Sequence, residues 1–221
     1  LAYYSMGDYP KAIEYQELRL KIAQEIKDRN GEGNALGNLG LAYYSMGDYP
    51  KAIDYYERSL KIAQEIKDRN SEAKSLGNLG LSYYSMGDYP KAIEYHEQSL
   101  KIAQEIKDRN SEGNALGNLG VAYHALGDYP KAIEYHEHWL KIAQAIKDRK
   151  GEGAALNNLG VTYYKIGNQR NAESTLFKSM KVLESLRGGL KDNNKITIFE
   201  EQNRTYRTLQ QVLIAQNKTD A

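Results

Sequence analysis

The run LAYYSMGDYPKAIEYQELRLKIAQEIKDRN begins at Leu1, returns almost unaltered at Leu41 and Leu81, and recurs more loosely at Val121 and Val161. This fixed period of 40 residues constrains the fold more than any other property of the chain. A unit so short cannot bury both of its apolar faces alone, so successive copies must stack, each chiefly on its neighbours. Because the copies are nearly identical, residues shared among them do not by themselves mark function.

Within one copy the punctuation predicts two helices. A first helix, A, is expected from about Glu32 to Met46, with Leu36, Leu39, Tyr43 and Met46 at helical spacing on one face. Gly47 should end it by entering the left-handed conformation that only glycine adopts without strain. Asp48 can cap the second helix, B, and Pro50 falls in its first turn, where a missing N–H costs nothing. Helix B is expected from about Tyr49 to Lys67, with Ala52, Ile53, Tyr56, Leu60, Ala63 and Ile66 on a wide apolar face. The stretch Asp68-Arg69-Asn70-Ser71 would turn the chain into the next A helix. Strand-like alternation is missing, so the expected fold is all-α, a solenoid of stacked antiparallel helix hairpins.

The residues carrying this pattern resemble the tetratricopeptide repeat: Leu39-Gly40, Tyr43, Gly47, Tyr49, Ala52, Tyr56 and Leu60, echoed by Gly80, Ala92, Gly120 and Ala132. The usual repeat is about 34 residues long. The longer form here is similar to the variants in kinesin light chains and Pins/LGN-type polarity adaptors, which also read N-L-G after a D-R-x-x-E-like turn. The resemblance covers roughly residues 1–187 and implies a right-handed superhelix that binds protein segments on its concave face. Gly40 and Ala52 are small so that A and B can approach closely. The expected organisation is a partial first copy at 1–28, copies at 29–68, 69–108, 109–148 and 149–187, and a divergent tail at 188–221.

In that tail, Leu186-Arg187-Gly188-Gly189-Leu190 should break the B helix. A longer A-type helix is expected from about Asn194 to Gln216, with Phe199, Tyr206, Leu209 and Leu213 in stripe. ESLRGGL…KITIFEEQNRTYRTLQQVLIAQNK looks like the segment preceding a caspase-like CHAT domain in bacterial, especially cyanobacterial, proteins. That resemblance implies a second function, as the sensor arm of a peptidase. Leu1 starts midway along an A helix and Ala221 falls where a B helix should begin, so both ends look cut. Uncovered ends of this kind allow a third reading, homo-oligomerisation through head-to-tail contacts.

Composition narrows the alternatives. Lys plus Arg number 30 against 29 Asp plus Glu, so no net field draws the chain to nucleic acid or an anionic membrane. The chain has no cysteine, which removes disulfides, thiolate catalysis and thiolate metal sites together. No apolar run approaches the roughly 18 residues of a membrane helix, and no signal-peptide layout opens the chain. A cytoplasmic protein is the expectation. No nucleophile, base and orienting group can be placed together, so neither an enzyme nor a cofactor is expected.

A ligand would lie along the stripe of each A helix left over once the core stripe is assigned. In the first complete copy this is Asn34, Asn38, Leu41 and Ser45, flanked by Tyr44. The counterparts are Lys74, Asn78, Leu81 and Ser85, then Asn114, Asn118, Val121 and Ala125, then Ala154, Asn158, Val161 and Lys165, flanked by Tyr84, His124 and Tyr164. An Asn amide offers donor and acceptor at once, so Asn38, Asn78, Asn118 and Asn158 could clamp a peptide backbone whatever its side chains. Each rung would contribute about 0.5–1.5 kcal/mol net, and several together would support micromolar binding, about −8 kcal/mol. The competing reading has these amides bonding across neighbouring helices. Gly37 and Leu41 stand where chaperone-tail clamps of the family carry cationic and amide residues, and only Lys74 supplies a cation near the centre. Such a clamp is therefore disfavoured. Exposed Gly37, Gly77 and Gly117 would let a ligand backbone approach, a benefit that Asn157 removes.

Other features read as structural. Gly31-Glu32-Gly33 followed by Gly37 imitates a phosphate loop but lacks a preceding strand. His136 and His138 point in different directions on one helix. His96 and His136 hold equivalent places and are expected to be solvated or half-packed. Trp139 replaces Ser59 and Ser99 and would either fill room released by Ala154, which replaces Asn114, or serve as a surface anchor. The Lys/Glu-rich B helices and KDRN turns read as a solvated outer face.

Overall fold

The computed structural model describes residues 9–187 and 192–215, with the side chains at 187, 192–199 and 201 outside the description. All regular structure among these residues is helical. The A-type helices are α2 (Arg29–Ser45), α4 (Arg69–Ser85), α6 (Arg109–Leu126) and α8 (Arg149–Lys165). They alternate with the B-type helices α1 (Tyr9–Glu25), α3 (Tyr49–Glu65), α5 (Tyr89–Glu105), α7 (Tyr129–Ala145) and α9 (Gln169–Arg187), and α10 (Asp192–Ala215) follows. Links of two or three residues join consecutive helices between α1 and α9, and from α1 to α5, and again from α7 to α9, each helix folds back on its predecessor. The chain divides into two compact units, Leu1–Ala115 and Leu116–Ala221.

Local chemistry explains the helix ends. The Asp48, Asp88 and Asp128 carboxylates cap the B helices, accepting from the backbone N–H of Lys51, Lys91 and Lys131 at 3.3, 3.2 and 3.2 Å. Gly47, Gly87, Gly127 and Gly167 each stop an A helix at φ between +76° and +89°. The other junction departs from the expectation. Helix α3 stops at Glu65, and α4 begins at Arg69, so Arg69, Asn70 and Ser71 belong to a helical turn capped by Asp68. The bend itself is made by Lys67, at φ +58°, as by Lys27, Lys107 and Lys147 in the other copies. A left-handed lysine costs about 1–2 kcal/mol. It is held by the backbone bonds Lys67 N–H to Gln64 O (3.2 Å) and Asp68 N–H to Ala63 O (2.8 Å).

Met46 and Ile66, expected in the core stripes, are 50% and 37% exposed. Both lie one residue past the end of their helix, where the stripe no longer faces the partner. The first unit instead buries Ala35, Leu36, Leu39 and Ala42 of α2 against Ala52, Tyr56, Ile62 and Ala63 of α3. Full burial of a side chain such as Leu39 contributes roughly 1.5–3 kcal/mol. The tight approach expected at Gly40 is present, because a Cβ there would lie 2.7 Å from the Tyr56 ring.

The charged outer face is more ordered than a solvated surface. Glu72 is buried and takes Arg69 at 2.5 Å and the Gln64 amide at 3.3 Å, while Arg69 also reaches Glu105. The same set recurs as Arg29, Glu32 and Glu65. Two B helices and the A helix between them are thereby tied together at the turn that sequence reading left to solvent.

In the second unit, α10 packs Leu209, Val212 and Leu213 onto Ala172 and Leu176 of α9. Its buried Thr205 hydroxyl donates to the side-chain Oδ1 of Asn157 on α8 at 2.9 Å. Tyr206 is 49% exposed rather than in the stripe, since Thr205 takes the inward position. The expected contribution of Phe199, the break at Gly188–Leu190 and the half helix at Leu1 lie outside the described residues.

Candidate binding face

Three consecutive helices of the first unit enclose a cavity of about 260 Å³. Helix α2 supplies Asn34, Asn38 and Leu41 to one wall, and α4 supplies Lys74 and Asn78 to the other. The floor comes from α3 through Ser59, Ile62 and Ala63. Five of the residues expected from sequence are thus brought together. Tyr44, Leu81 and Tyr84 lie on the same two helices but outside the cavity lining.

The amides are largely uncommitted. Asn38 reaches Gln16 of α1 at 3.5 Å, the limit of a hydrogen bond, and Asn34 donates to Asn30 one turn earlier at 2.7 Å. Asn78 and Asn118 make no side-chain hydrogen bond among the described residues. Asn158 accepts a 3.5 Å contact from its neighbour Asn157. Asn34 and Asn114 are exposed, while Asn38, Asn78, Asn118 and Asn158 are half-buried beside the half-buried Leu41, Leu81, Val121 and Val161.

The flanking aromatics make contacts of their own. Tyr44 reaches across to α4, where its hydroxyl lies 3.0 Å from Ser85 Oγ. His124 Nδ1 lies 3.0 Å from Thr162 Oγ1 of α8, and burial lowers the pKa of that ring, with Lys165 adding to the effect. Tyr84 packs on Tyr89, and burial raises its pKa. Tyr164 packs against the cluster formed by α9 and α10. These rings join successive helices.

Sequence reading missed the polar floor. Ser59 is buried, donates to the Gly33 carbonyl at 3.0 Å and accepts from Ser75 at 3.2 Å. Ser99 and Ser179 make the same bond to the Ala73 and Gly153 carbonyls. A serine recurring on the apolar face of successive B helices was the available signal. Trp139 interrupts that series and lays its ring on Gly117, 3.1 Å from where a Cβ would stand, and beside His136.

The histidines require a correction. His96 and His136 are each 1% exposed, and their Nδ1 atoms have no hydrogen-bond partner. Each ring fills the place of Tyr56, so close to Gly80 or Gly120 that a Cβ there would stand 2.5 or 2.4 Å away. Burial drives the pKa of His96 down to about 4; burial, helped by His124, drives that of His136 to about 3. Asn157, at the place of Gly37, is also accounted for, being buried and bonded to α10.

Among the described residues, no group of three His, Asp or Glu side chains is arranged to hold a metal ion. No described helix is long and apolar enough to cross a membrane.

A family model described as tetratricopeptide repeat matches residues 1–65, 33–105, 71–145 and 111–185, a nearly continuous tiling of the helical hairpins. The chain belongs to the tetratricopeptide repeat family. No sequence among curated proteins matches it significantly. Solved tetratricopeptide structures are similar in fold. BtubC (BKLC) of P. vanneervenii is 21% identical, with a TM-score of 0.82 over 96% of this chain and 85% of that one. A putative kinesin light chain with nearly identical repeats from Podosopora anserina is 20% identical, with a TM-score of 0.70 over 85% and 93% of the two chains. A Rap protein complexed with Competence and Sporulation Factor is 18% identical, with a TM-score of 0.65 over 98% and 62%. At these identities the likeness concerns the fold. Tetratricopeptide stacks of this kind present extended surfaces built from successive copies, and the family uses them as interaction scaffolds.

Proposed function

We propose that this tetratricopeptide chain is a protein-interaction scaffold that holds an extended segment of a partner along the exposed stripe of its A helices. The observation that carries this reading is the cavity between α2 and α4, lined by Asn34, Asn38 and Asn78. A buried-helix role for these amides would require bonds to neighbouring helices. Asn78 has none among the described residues, and Asn38 has only a 3.5 Å contact. A peptide backbone offers each amide both a donor and an acceptor, and apolar contact beside the rungs comes from Leu41 and Leu81 in the first unit and from Val121 and Val161 in the second. The Rap protein solved with Competence and Sporulation Factor shows a fold of this kind engaging another molecule. If the chain serves as the regulatory arm of a CHAT-type peptidase, as the tail's resemblance suggests, it uses this same face.

Capture from a host lysate with wild type and with Asn38→Ala/Asn78→Ala/Asn118→Ala/Asn158→Ala tests the proposal. The variant should keep its helicity and melting temperature, because no strong bond is lost and alanine favours helix. Its partners should disappear. The same partners on a folded variant would refute the proposal.

A second reading rests on α1, where Tyr15, Leu18 and Ile22, with Ile26 just past the helix end, form an exposed apolar stripe. Self-association through that stripe would appear in light scattering as a mass that grows with concentration and is abolished by Leu18→Glu/Ile22→Glu. A mass that stays constant with concentration would exclude it.

A further inference from the structure

The copies are so alike that a departure at one register position stands out. Glu65, Glu105, Ala145 and Ser185 hold the same place at the end of successive B helices. In the first unit that place answers an arginine at the start of an A helix. Arg29 and Arg69 give Nη1 to a carboxylate of their own helix, Glu32 or Glu72, and Nη2 to Glu65 or Glu105 of the following B helix. In the second unit Arg149 opens α8 and again gives Nη1 to Glu152. Its Nη2 meets a neutral group instead, the Ser185 hydroxyl of α9, at 3.5 Å. The partners are 36 residues apart in all three pairs. Ser185 and Arg149 are both exposed, and the serine hydroxyl donates to the Val182 carbonyl at 2.6 Å. Lys181 stands one turn before Ser185, as Lys61 and Lys101 stand before Glu65 and Glu105. The position keeps the cationic surroundings of an acid without the acid.

We propose that Ser185 is a phosphorylation site, with the Arg149 guanidinium as the receptor of the phosphate. A phosphoserine has the reach of a glutamate, because the same number of bonds separates Cβ from a terminal oxygen in both. It carries about −1.5 to −2 charges at pH 7 and offers three acceptor oxygens, so opposite an arginine it forms charge-assisted hydrogen bonds. The donor is a nucleoside triphosphate held by a protein kinase. Ser185 Oγ bonds to the terminal phosphorus as the bond to the departing diphosphate breaks, and the hydroxyl proton passes to the kinase. Ser185 lies in the last turn of α9, and a helix end opens at low cost, which gives an enzyme access to the hydroxyl. The phosphate then completes on the α8–α9 hairpin the tie that Glu65 and Glu105 make in the first unit. Helix α9 is also the one on which α10 packs. This site belongs to a B helix and does not depend on the peptide-binding reading.

Two measurements test it, both on the whole chain. In protein isolated from its own cells during growth and during starvation, mass spectrometry of proteolytic fragments should place phosphate on Ser185. A Ser185 unmodified in both conditions, or phosphate on other residues only, overturns the site. In protein with phosphoserine genetically encoded at position 185, phosphorus NMR follows the second ionisation of the phosphate. The nearby guanidinium favours the dianion, so the midpoint should lie about 0.5 pH below that of the same protein carrying Arg149→Gln, the size expected for one exposed ion pair. Added salt should shrink the difference. Arg170→Gln, an equal loss of charge at the opposite end of α9, should leave the midpoint where it is, and circular dichroism verifies that all three proteins are folded. A midpoint that ignores Arg149→Gln, or that answers Arg170→Gln equally, overturns Arg149 as the receptor.

Discussion

Acidification from about pH 7.5 to about pH 5 should weaken this protein through two specific rings, His96 and His136. Both are neutral in the folded state, with pKa values of about 4 and about 3, against about 6.5 for an unfolded histidine. A base with a depressed folded pKa takes up its proton on unfolding. Its contribution to stability is therefore intact above the unfolded value and lost as the pH falls towards the folded one. At about pH 5 the folded rings are still neutral and the unfolded ones almost fully charged. The loss is then set by the distance from 6.5 to 5, and comes to about 2 kcal/mol per ring, or about 4 kcal/mol together. Asp68 and Asp108, whose pKa values are lowered, stay ionised at that pH and add little. The control comes from the protein itself, since Tyr56 fills the equivalent site against Gly40. Urea unfolding followed by circular dichroism at both pH values should show the full loss in wild type. In His96→Tyr/His136→Tyr the loss should fall below about 1 kcal/mol, with His124 contributing equally to both proteins. Equal stability of wild type at the two pH values, or the same loss in the Tyr variant, would refute the reasoning.

Two neighbouring glycines should respond in opposite directions. Gly40→Ala forces a Cβ to within 2.7 Å of the Tyr56 ring and should cost roughly 1–3 kcal/mol; Gly37→Ala meets only Ser59 Oγ at 3.5 Å and should gain about 1 kcal/mol of helix propensity. Thermal melts that shift together would contradict this. Thr205→Val should cost about 1–3 kcal/mol by stranding the buried side-chain Oδ1 of Asn157. Adding Asn157→Gly, the residue of the other copies, should restore much of the loss, and a double-mutant cycle showing no coupling would show that this bond does not hold α10.

Much of the fold was legible because its determinants are local. Gly47, Asp48 and Pro50 act within a few residues of themselves, so the A-to-B turn could be read directly. The B-to-A turn was misread because nothing in Lys67 announces a left-handed backbone; the bonds to Gln64 and Ala63 impose it. Of the candidate site, the Asn stripe and Lys74 followed from helical spacing. The role of Tyr44 and His124 did not, because Ser85 and Thr162, their partners, lie on the next A helix.

The sequence by itself determined the period, the helix pairs and the family, since each follows from a pattern repeated along one chain. Only the tertiary structure decided what surrounds each side chain. The same B-helix position is Tyr56, His96 or His136, and the sequence ranks the histidines as polar. The glycine facing each ring closes the site to water, turning a surface-type residue into a buried neutral one. In the same way, the stacking of α4 beside α2 turns Lys74 from one more exposed charge into the single cation of a shared cavity. Burial and electrostatic environment belong to neighbours on other helices, 16 residues away for each histidine and its glycine and 36 for Asn38 and Lys74, which no local pattern can supply.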